Sequence, residues 1–232
     1  MKVATSILGL AAVALVVAAC GGAGSVAVAP TAAPTTAAPT TAAPAVPTTA
    51  GALGWTVTDK SKATVRVREQ LVSLSLPSDA VLVAAGAKGS FGINDDGTFA
   101  SGSQISFDVT SLTSDQSQRD QFVKQTVLNT RQFPTATFVP IKATGLTLPL
   151  AATAHATFTL AGKLTIHGVT KDVTFSVDAT RSGGDLTATA TLAPTITFGD
   201  FGMSPPSAPT RVLSVVDEIK LTIDIVATGP AS

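Results

Sequence analysis

The chain has 232 residues, of which 45% are hydrophobic and only 13% are charged, and its formal net charge at pH 7 is zero. This balance of charge excludes a binding mode that depends on a basic surface, so no nucleic acid partner is expected. The chain has a single cysteine, Cys20, which excludes an internal disulfide framework and a metal site built from several thiolates.

An apolar stretch near the N-terminus ends at this cysteine. Lys2 precedes a run of mostly Val, Ala, Leu and Ile from residue 3 to residue 17. A charged start, an apolar middle and small residues at the end are typical of an export signal. The run falls slightly short of the roughly 18 apolar residues that a transmembrane helix needs. We therefore expect a signal peptide over residues 1–19, with an uncleaved anchor as an alternative.

The four residues 17–20, Val-Ala-Ala-Cys, resemble the lipobox of bacterial lipoproteins. The resemblance implies cleavage after Ala19 and lipidation of Cys20. It also implies a protein that is exported and anchored to the cell membrane through Cys20, with its folded domain outside the cytoplasm. Two or more acyl chains make such an anchor stable, whereas one chain gives only marginal binding. Plain secretion, with Cys20 as a free thiol, is the alternative.

Residues 20–52 differ in composition from the rest of the chain. The sequence Thr-Ala-Ala-Pro occurs at residues 31–34, 36–39 and 41–44. Prolines at this spacing interrupt both helices and strand ladders. The composition therefore predicts a disordered tether biased to polyproline II, which would reach roughly 90 Å if fully extended.

From Leu53 onward, apolar and polar residues alternate with the period of half-buried strands. The strand candidates are residues 63–68, 105–110, 135–147, 157–166, 173–178, 186–192 and 219–225. Turn signals at residues 94–97 and 183–184 separate some of them. The pattern predicts an all-β domain over residues 53–229 with about eight antiparallel strands. A barrel would leave no exposed edge, and a two-sheet sandwich is the alternative.

Residues 114–128 break the strand pattern. Apolar residues from Phe122 to Val127 recur at helical spacing, and Ser and Asp residues at the start of the segment suit a helix cap. We expect one short helix, packed on the barrel or across its mouth. Arg119-Asp120 within it is interpreted as a structural ion pair or cap.

Four stretches of the domain carry a pattern known from one family. They are Trp55 with Asp59 and Ser61; residues 111–115 with 119–120 and 133–134; the hairpin 162–171; and residues 199–202 with 216–219. Through them the chain from about Trp55 to Val226 resembles the YceI-like family of lipid- or polyisoprenoid-binding proteins. The resemblance implies an eight-stranded, lipocalin-like barrel that holds a long apolar ligand. An isoprenoid quinone, a polyprenyl lipid or a fatty acyl chain would fit this description, with no cofactor beyond the bound lipid.

Large apolar residues of the predicted strands and helix are the candidates for lining a ligand tunnel. They are Phe91, Ile105, Phe107, Val109, Phe122, Phe138, Phe158, Leu160, Leu164, Phe175, Phe198 and Phe201. The helix or the loop of residues 199–206 would act as a gate. The same side chains would equally form an ordinary core. In that case the barrel is solid, and the protein is a scaffold or interaction lipoprotein with a surface partner site.

Catalysis and metal binding have weak support in the sequence. His155 and His167 are the only histidines, and neither has an acidic residue at ligand spacing. No acid, base and nucleophile occur in a coherent set. We therefore expect a non-catalytic protein without a metal site, and the oligomeric state is left open.

Overall fold

The alternating segments form one antiparallel sheet that closes on itself, in a computed structural model that describes residues 53–207 and 210–230. The strands are β1 (Leu53–Val57), β2 (Lys62–Leu71), β3 (Ser78–Ala85), β4 (Lys88–Ile93), β5 (Gln104–Asp108), β6 (Thr135–Thr144), β7 (Thr153–Ile166), β8 (Val169–Ser182), β9 (Asp185–Leu192) and β10 (Val212–Thr228). The predicted signal peptide, the tether and Cys20 lie outside the described residues.

These ten strands occupy eight positions around a barrel. The ring runs β1-β4-β5-β6-β7-β8-β9-β10, and β1 closes it by pairing with the end of β10. β2 continues the position of β1, because it pairs with the earlier part of β10. β3 continues the position of β4 and meets the chain after β5 through a bridge between Val83 and Thr113. The predicted eight-stranded antiparallel barrel is therefore confirmed, with two of its positions divided into two strands each.

Ser61 bridges the break between β1 and β2. Its hydroxyl accepts a hydrogen bond from the N–H of Val226 at 2.9 Å and donates one to the carbonyl of the same residue at 3.1 Å. Thr58 donates to that carbonyl through its own N–H and hydroxyl, both at 2.8 Å. Ser61 is fully buried. These bonds satisfy backbone groups that the turn would otherwise leave without a ladder partner.

Side chains fill the barrel at the end where β1 begins and β10 finishes. Trp55 is 1% exposed there, and the guanidinium of Arg181 lies 5.7 Å from the centre of its ring. Arg181 donates hydrogen bonds to the carbonyls of Leu150, Gly183 and Pro230 at 2.6–3.1 Å. Each nitrogen of the buried guanidinium thus donates to a backbone carbonyl, as a buried polar group requires.

The predicted helix is present but short and mixed in type. The α-helix α1 (Ser117–Phe122) runs directly into a π-helical turn (Val123–Val127). The hydroxyl of Ser114 accepts from the N–H of Gln116 and donates to the Asp120 carboxylate at 2.6 Å. Ser114 therefore orders the turn that leads into the helix. Within the described ranges, no helix has the length and apolar character needed to span a bilayer.

Candidate functional site

A cavity of about 690 Å³ occupies the half of the barrel away from Trp55. Inward-facing residues of β2 and β10 form much of its wall, among them Val65 and Val67 opposite Leu221 and Ile219. The helical segment and the loop that leads into β10 supply the rest of its mouth. Small-molecule sites in proteins commonly measure about 300–1,000 Å³, so this volume is enough for a ligand.

Small side chains make this half hollow. Ala63 on β2 and Ala80 and Ala84 on β3 stand at wall positions of the cavity. In the other half, the corresponding space is taken by large rings such as Trp55 and Phe91, whose centroids stack 5.6 Å apart. Since protein interiors otherwise pack without voids larger than a water molecule, a space of this size is a specific feature of the sequence.

Six of the twelve predicted tunnel residues line this cavity. They are Phe107, Val109, Phe122, Phe138, Leu164 and Phe198. They come from β5, the turn after it, α1, β6, β7 and the loop after β9. The structure therefore brings together, around one space, residues that are far apart in the chain.

The other six predicted residues do not line this cavity. They are Phe91, Ile105, Phe158, Leu160, Phe175 and Phe201, and all belong to the main core cluster or pack against it. Phe91 stacks on Trp55, and Phe175 meets the ring of Phe138 edge-on at 5.1 Å. One half of the barrel is filled by side chains, so an inward-facing residue lines the cavity only in the other half.

The mouth of the cavity carries its polar groups. Arg119 on α1 lies 2.6 Å from the carboxylate of Glu69 on β2 and 2.5 Å from that of Asp115. Arg211 donates to the side-chain oxygen of Gln118. Glu69, Arg119 and Arg211 line the mouth and Asp115 pairs with Arg119 beside it, so two carboxylates balance the charge of two guanidinium groups. Arg119-Asp120 is interpreted from the sequence as a structural ion pair or cap; Arg119 pairs with Glu69 and Asp115 rather than with Asp120, and Asp120 accepts from Ser114 at the start of the helix.

Asp200 orders the loop that presents Phe198 to the cavity. Its carboxylate accepts hydrogen bonds from the N–H and the hydroxyl of Thr197, both at 2.8 Å. These bonds favour the ionised form and lower the pKa of Asp200, the backbone N–H being the larger cause. The N–H of Phe198 donates to Asp217 at 2.8 Å. Within the predicted gate (residues 199–206), Met203 and Pro206 line the mouth.

Several cavity residues were missed by the sequence prediction. Glu69 had no visible partner in the sequence, since Arg119 stands 50 residues away. The wall residues of β3 were missed because Ala80 to Ala84 is apolar at every position, so no alternation marks an inward face. That uninterrupted apolar run was itself a signal of a buried strand.

The two histidines do not converge. His155 contacts Asp178 at 3.0 Å on the outside of the sheet, and Nδ1 of His167 lies 3.3 Å from the carbonyl oxygen of Phe201. In the part of the chain that the structure describes, no three His, Cys, Asp or Glu side chains are grouped so as to hold a metal ion.

Comparison of the sequence with known proteins identifies relatives of this domain. The YceI-like domain family matches residues 55–227. A UPF0312 protein of Pseudomonas putida strain W619 is 32% identical over 122 residues, which cover 49% of this chain and 59% of the relative. A second one from strain GB-1 gives the same figures. The chain thus spans about three fifths of the length of the curated relatives it matches.

Solved structures share the barrel. A polyisoprenoid binding domain from Saccharophagus degradans superposes with a TM-score of 0.58 at 12% identity, covering 77% of this chain and 99% of that one. The YCEI protein of Campylobacter jejuni gives 0.52 at 17% identity, covering 68% and 90%. At these identities the likeness shows the fold. Because the family match takes in well over half of its 232 residues, the chain belongs to the YceI-like family.

Proposed function

We propose that this protein binds one long apolar molecule in the barrel cavity and catalyses no reaction on it. The observation that carries the proposal is a 690 Å³ space walled by aliphatic and aromatic side chains, with its charged groups confined to the mouth. A hydrocarbon chain gains about 0.8 kcal/mol for each CH₂ that it buries, so chain length alone supplies affinity. The name of the Saccharophagus degradans domain, polyisoprenoid binding, supports the same class of ligand.

The ligand is an isoprenoid quinone, a polyprenyl lipid or a fatty acyl chain, with its polar end at the mouth. Glu69 and Asp115 already neutralise Arg119, and Arg211 is held by Gln118. The mouth therefore offers hydrogen-bonding groups without an excess of positive charge. This balance favours an uncharged head, such as a hydroxyl or a quinone carbonyl, over a diphosphate, which would have to compete with two carboxylates for Arg119.

The protein acts as an exported lipoprotein under this proposal. The residues that end in Cys20 support export and lipidation, and the Thr-Ala-Ala-Pro repeat that follows supports a spacer between membrane and barrel. Replacing Cys20 by Ala in the native host tests this part separately. We expect the variant to lose the mass of its acyl chains and, because cleavage after Ala19 depends on the same lipobox, to retain residues 1–19.

Titration with cis-parinaric acid, a fluorescent polyene fatty acid, tests the binding function. We expect saturable binding at one probe per chain, with displacement by a long polyprenol and weaker displacement by the corresponding polyprenyl diphosphate. Binding that never saturates, or that no long-chain lipid displaces, would contradict a site inside the barrel. Equal displacement by the two prenyl lipids would contradict only the preference for an uncharged head.

A further inference from the structure

Exposed apolar side chains gather around the mouth of the cavity. Among the described residues, seven large apolar side chains are exposed, and five of them belong to two segments, residues 72–76 and 213–216, that also contribute lining residues to the cavity or follow one directly. We call these five the apolar rim: Val72, Leu74, Leu76, Leu213 and Val216, with exposed fractions of 45–74%. The other two, Val139 and Ile141, lie on β6.

The apolar rim is one surface, although its members come from two parts of the chain. Val212 pairs with Leu71 in the ladder between β10 and β2, and the N–H of Val72 donates to the carbonyl of Arg211 at 2.9 Å. The turn between β2 and β3 therefore lies beside the start of β10. Gln70 holds the turn by donating to the carbonyl of Leu74 at 2.6 Å.

The rim is continuous with the cavity. Val72 belongs both to the rim and to the cavity lining, and the lining residues Leu71, Val212 and Val215 are next in sequence to the rim residues Val72, Leu213 and Val216. An apolar molecule that moved out of the cavity would thus stay in contact with apolar side chains until it left the protein. Contiguous exposed apolar surface of this kind marks an interaction site rather than ordinary surface.

The length of chain that precedes the barrel is compatible with a membrane surface as the partner of the rim. β10 runs for 17 residues from the rim to the filled end, which is about 55 Å of strand, and β1 begins at that filled end. Residues 21–52 would reach roughly 90 Å if extended. A chain anchored at Cys20 is therefore long enough to let the barrel turn its rim toward the membrane that holds the anchor.

From these relationships we propose that the apolar rim inserts into the surface of a lipid bilayer, and that the ligand passes between bilayer and cavity at this contact. The proposal rests on the proposed function, since it takes the ligand to be a lipid. Arg68 and Asp79 at the base of the turn form an ion pair at 3.0 Å, and the mouth is balanced in charge. Insertion therefore depends on apolar contact and does not require anionic lipid.

Flotation with phosphatidylcholine vesicles tests the docking. The chain without residues 1–20 is used, because it retains every element of the described fold and lacks both the apolar segment and Cys20. The double variant Leu74→Asp/Leu213→Asp should lower the vesicle-bound fraction at least about tenfold. The matched control Val139→Asp/Ile141→Asp, also at exposed apolar positions, should stay within about twofold of the unsubstituted chain.

Other results would overturn the proposal. Equal flotation of the two double variants would do so, and so would no flotation of the unsubstituted chain. A dimer that the rim substitutions dissociate would instead make the rim a contact between copies of the chain. Uptake of cis-parinaric acid from ethanol solution is measured in parallel. Uptake that is unchanged in the rim variant, together with lost flotation, supports docking. Absent uptake in the unsubstituted chain contradicts the proposed function, whatever the flotation shows.

Discussion

Arg119 and Glu69 form an ion pair across the mouth of the cavity, with Nη2 of the arginine 2.6 Å from Oε1 of the carboxylate. The two side chains are only 17% and 7% exposed. The pair joins the helical segment that covers the cavity to the strand that walls it. Because Glu69 has lost most of its contact with water, it depends on this arginine for compensation.

Replacing Arg119 by Met should therefore destabilise the fold by about 2–3 kcal/mol, since it leaves a buried carboxylate without its partner. Urea unfolding measures the loss. The control is Arg68→Met, which breaks the exposed pair with Asp79 and should cost about 0–1 kcal/mol. Adding Glu69→Leu to Arg119→Met should restore most of the stability. A double variant as unstable as Arg119→Met alone would show that the arginine acts by some other contact.

Narrowing the cavity should lower ligand uptake while leaving the barrel intact. Phe107→Trp and Leu164→Trp each add a larger ring at a wall position. The added volume enters empty space, so the cost in stability should be under the roughly 1–3 kcal/mol typical of overpacking a solid core. Uptake of cis-parinaric acid reports the site, with the exposed position Ile141→Trp as control. Normal uptake in both cavity variants would argue against a ligand inside the barrel.

Gly162 on β7 allows the ring of Phe138 to take its place in the cavity wall. A Cβ atom at this position would lie 2.4 Å from that ring, which is closer than real atoms approach. Gly162→Ala should therefore displace Phe138, reduce probe uptake and cost about 1–3 kcal/mol. Gly199→Ala is the matched control, because its Cβ would meet only a Thr197 hydroxyl at 3.8 Å. Equal effects of the two substitutions would contradict the packing role of Gly162.

Stability should depend on the ionisation of Asp200. Its pKa is lowered in the folded state by the N–H and hydroxyl of Thr197. A lowered folded pKa means that the stabilisation is present above the unfolded value of about 3.9 and is lost as pH falls through the folded value. The melting temperature of Asp200→Asn should thus lie below that of the unsubstituted chain at pH 7, and the gap should close on acidification. A gap that stayed constant into strong acid would rule out ionisation as its cause.

The barrel itself could be predicted from the sequence because alternation reports which side chains face inward. Ala63 to Arg68, Leu186 to Leu192 and Ile219 to Ile225 each alternate clearly, and each forms part of a strand. β3 was not predicted, because both of its faces are apolar and its sequence therefore shows no alternation. The position of the helix was predicted correctly, but nothing in the residue pattern predicts that it continues as a π-helical turn.

The cavity could be predicted only in part, since alternation does not tell where along the barrel axis a residue lies. Phe107 and Phe91 look alike in sequence, yet one lines the cavity and the other stacks on Trp55. Their difference arises from the register between strands that are distant in the chain. The pairing of Arg119 with Glu69 depends on the same long-range geometry, so no local sequence pattern predicts it.

Native mass spectrometry of the chain lacking residues 1–20, purified from a bacterial host and followed by lipid extraction, tests the central claim most directly. A cavity that holds one apolar chain predicts a stoichiometric adduct that organic solvent removes and that is reduced in Leu164→Trp. A mass equal to the bare polypeptide, unchanged after incubation with long-chain quinones and polyprenols, would contradict the claim that this barrel is a lipid-binding protein.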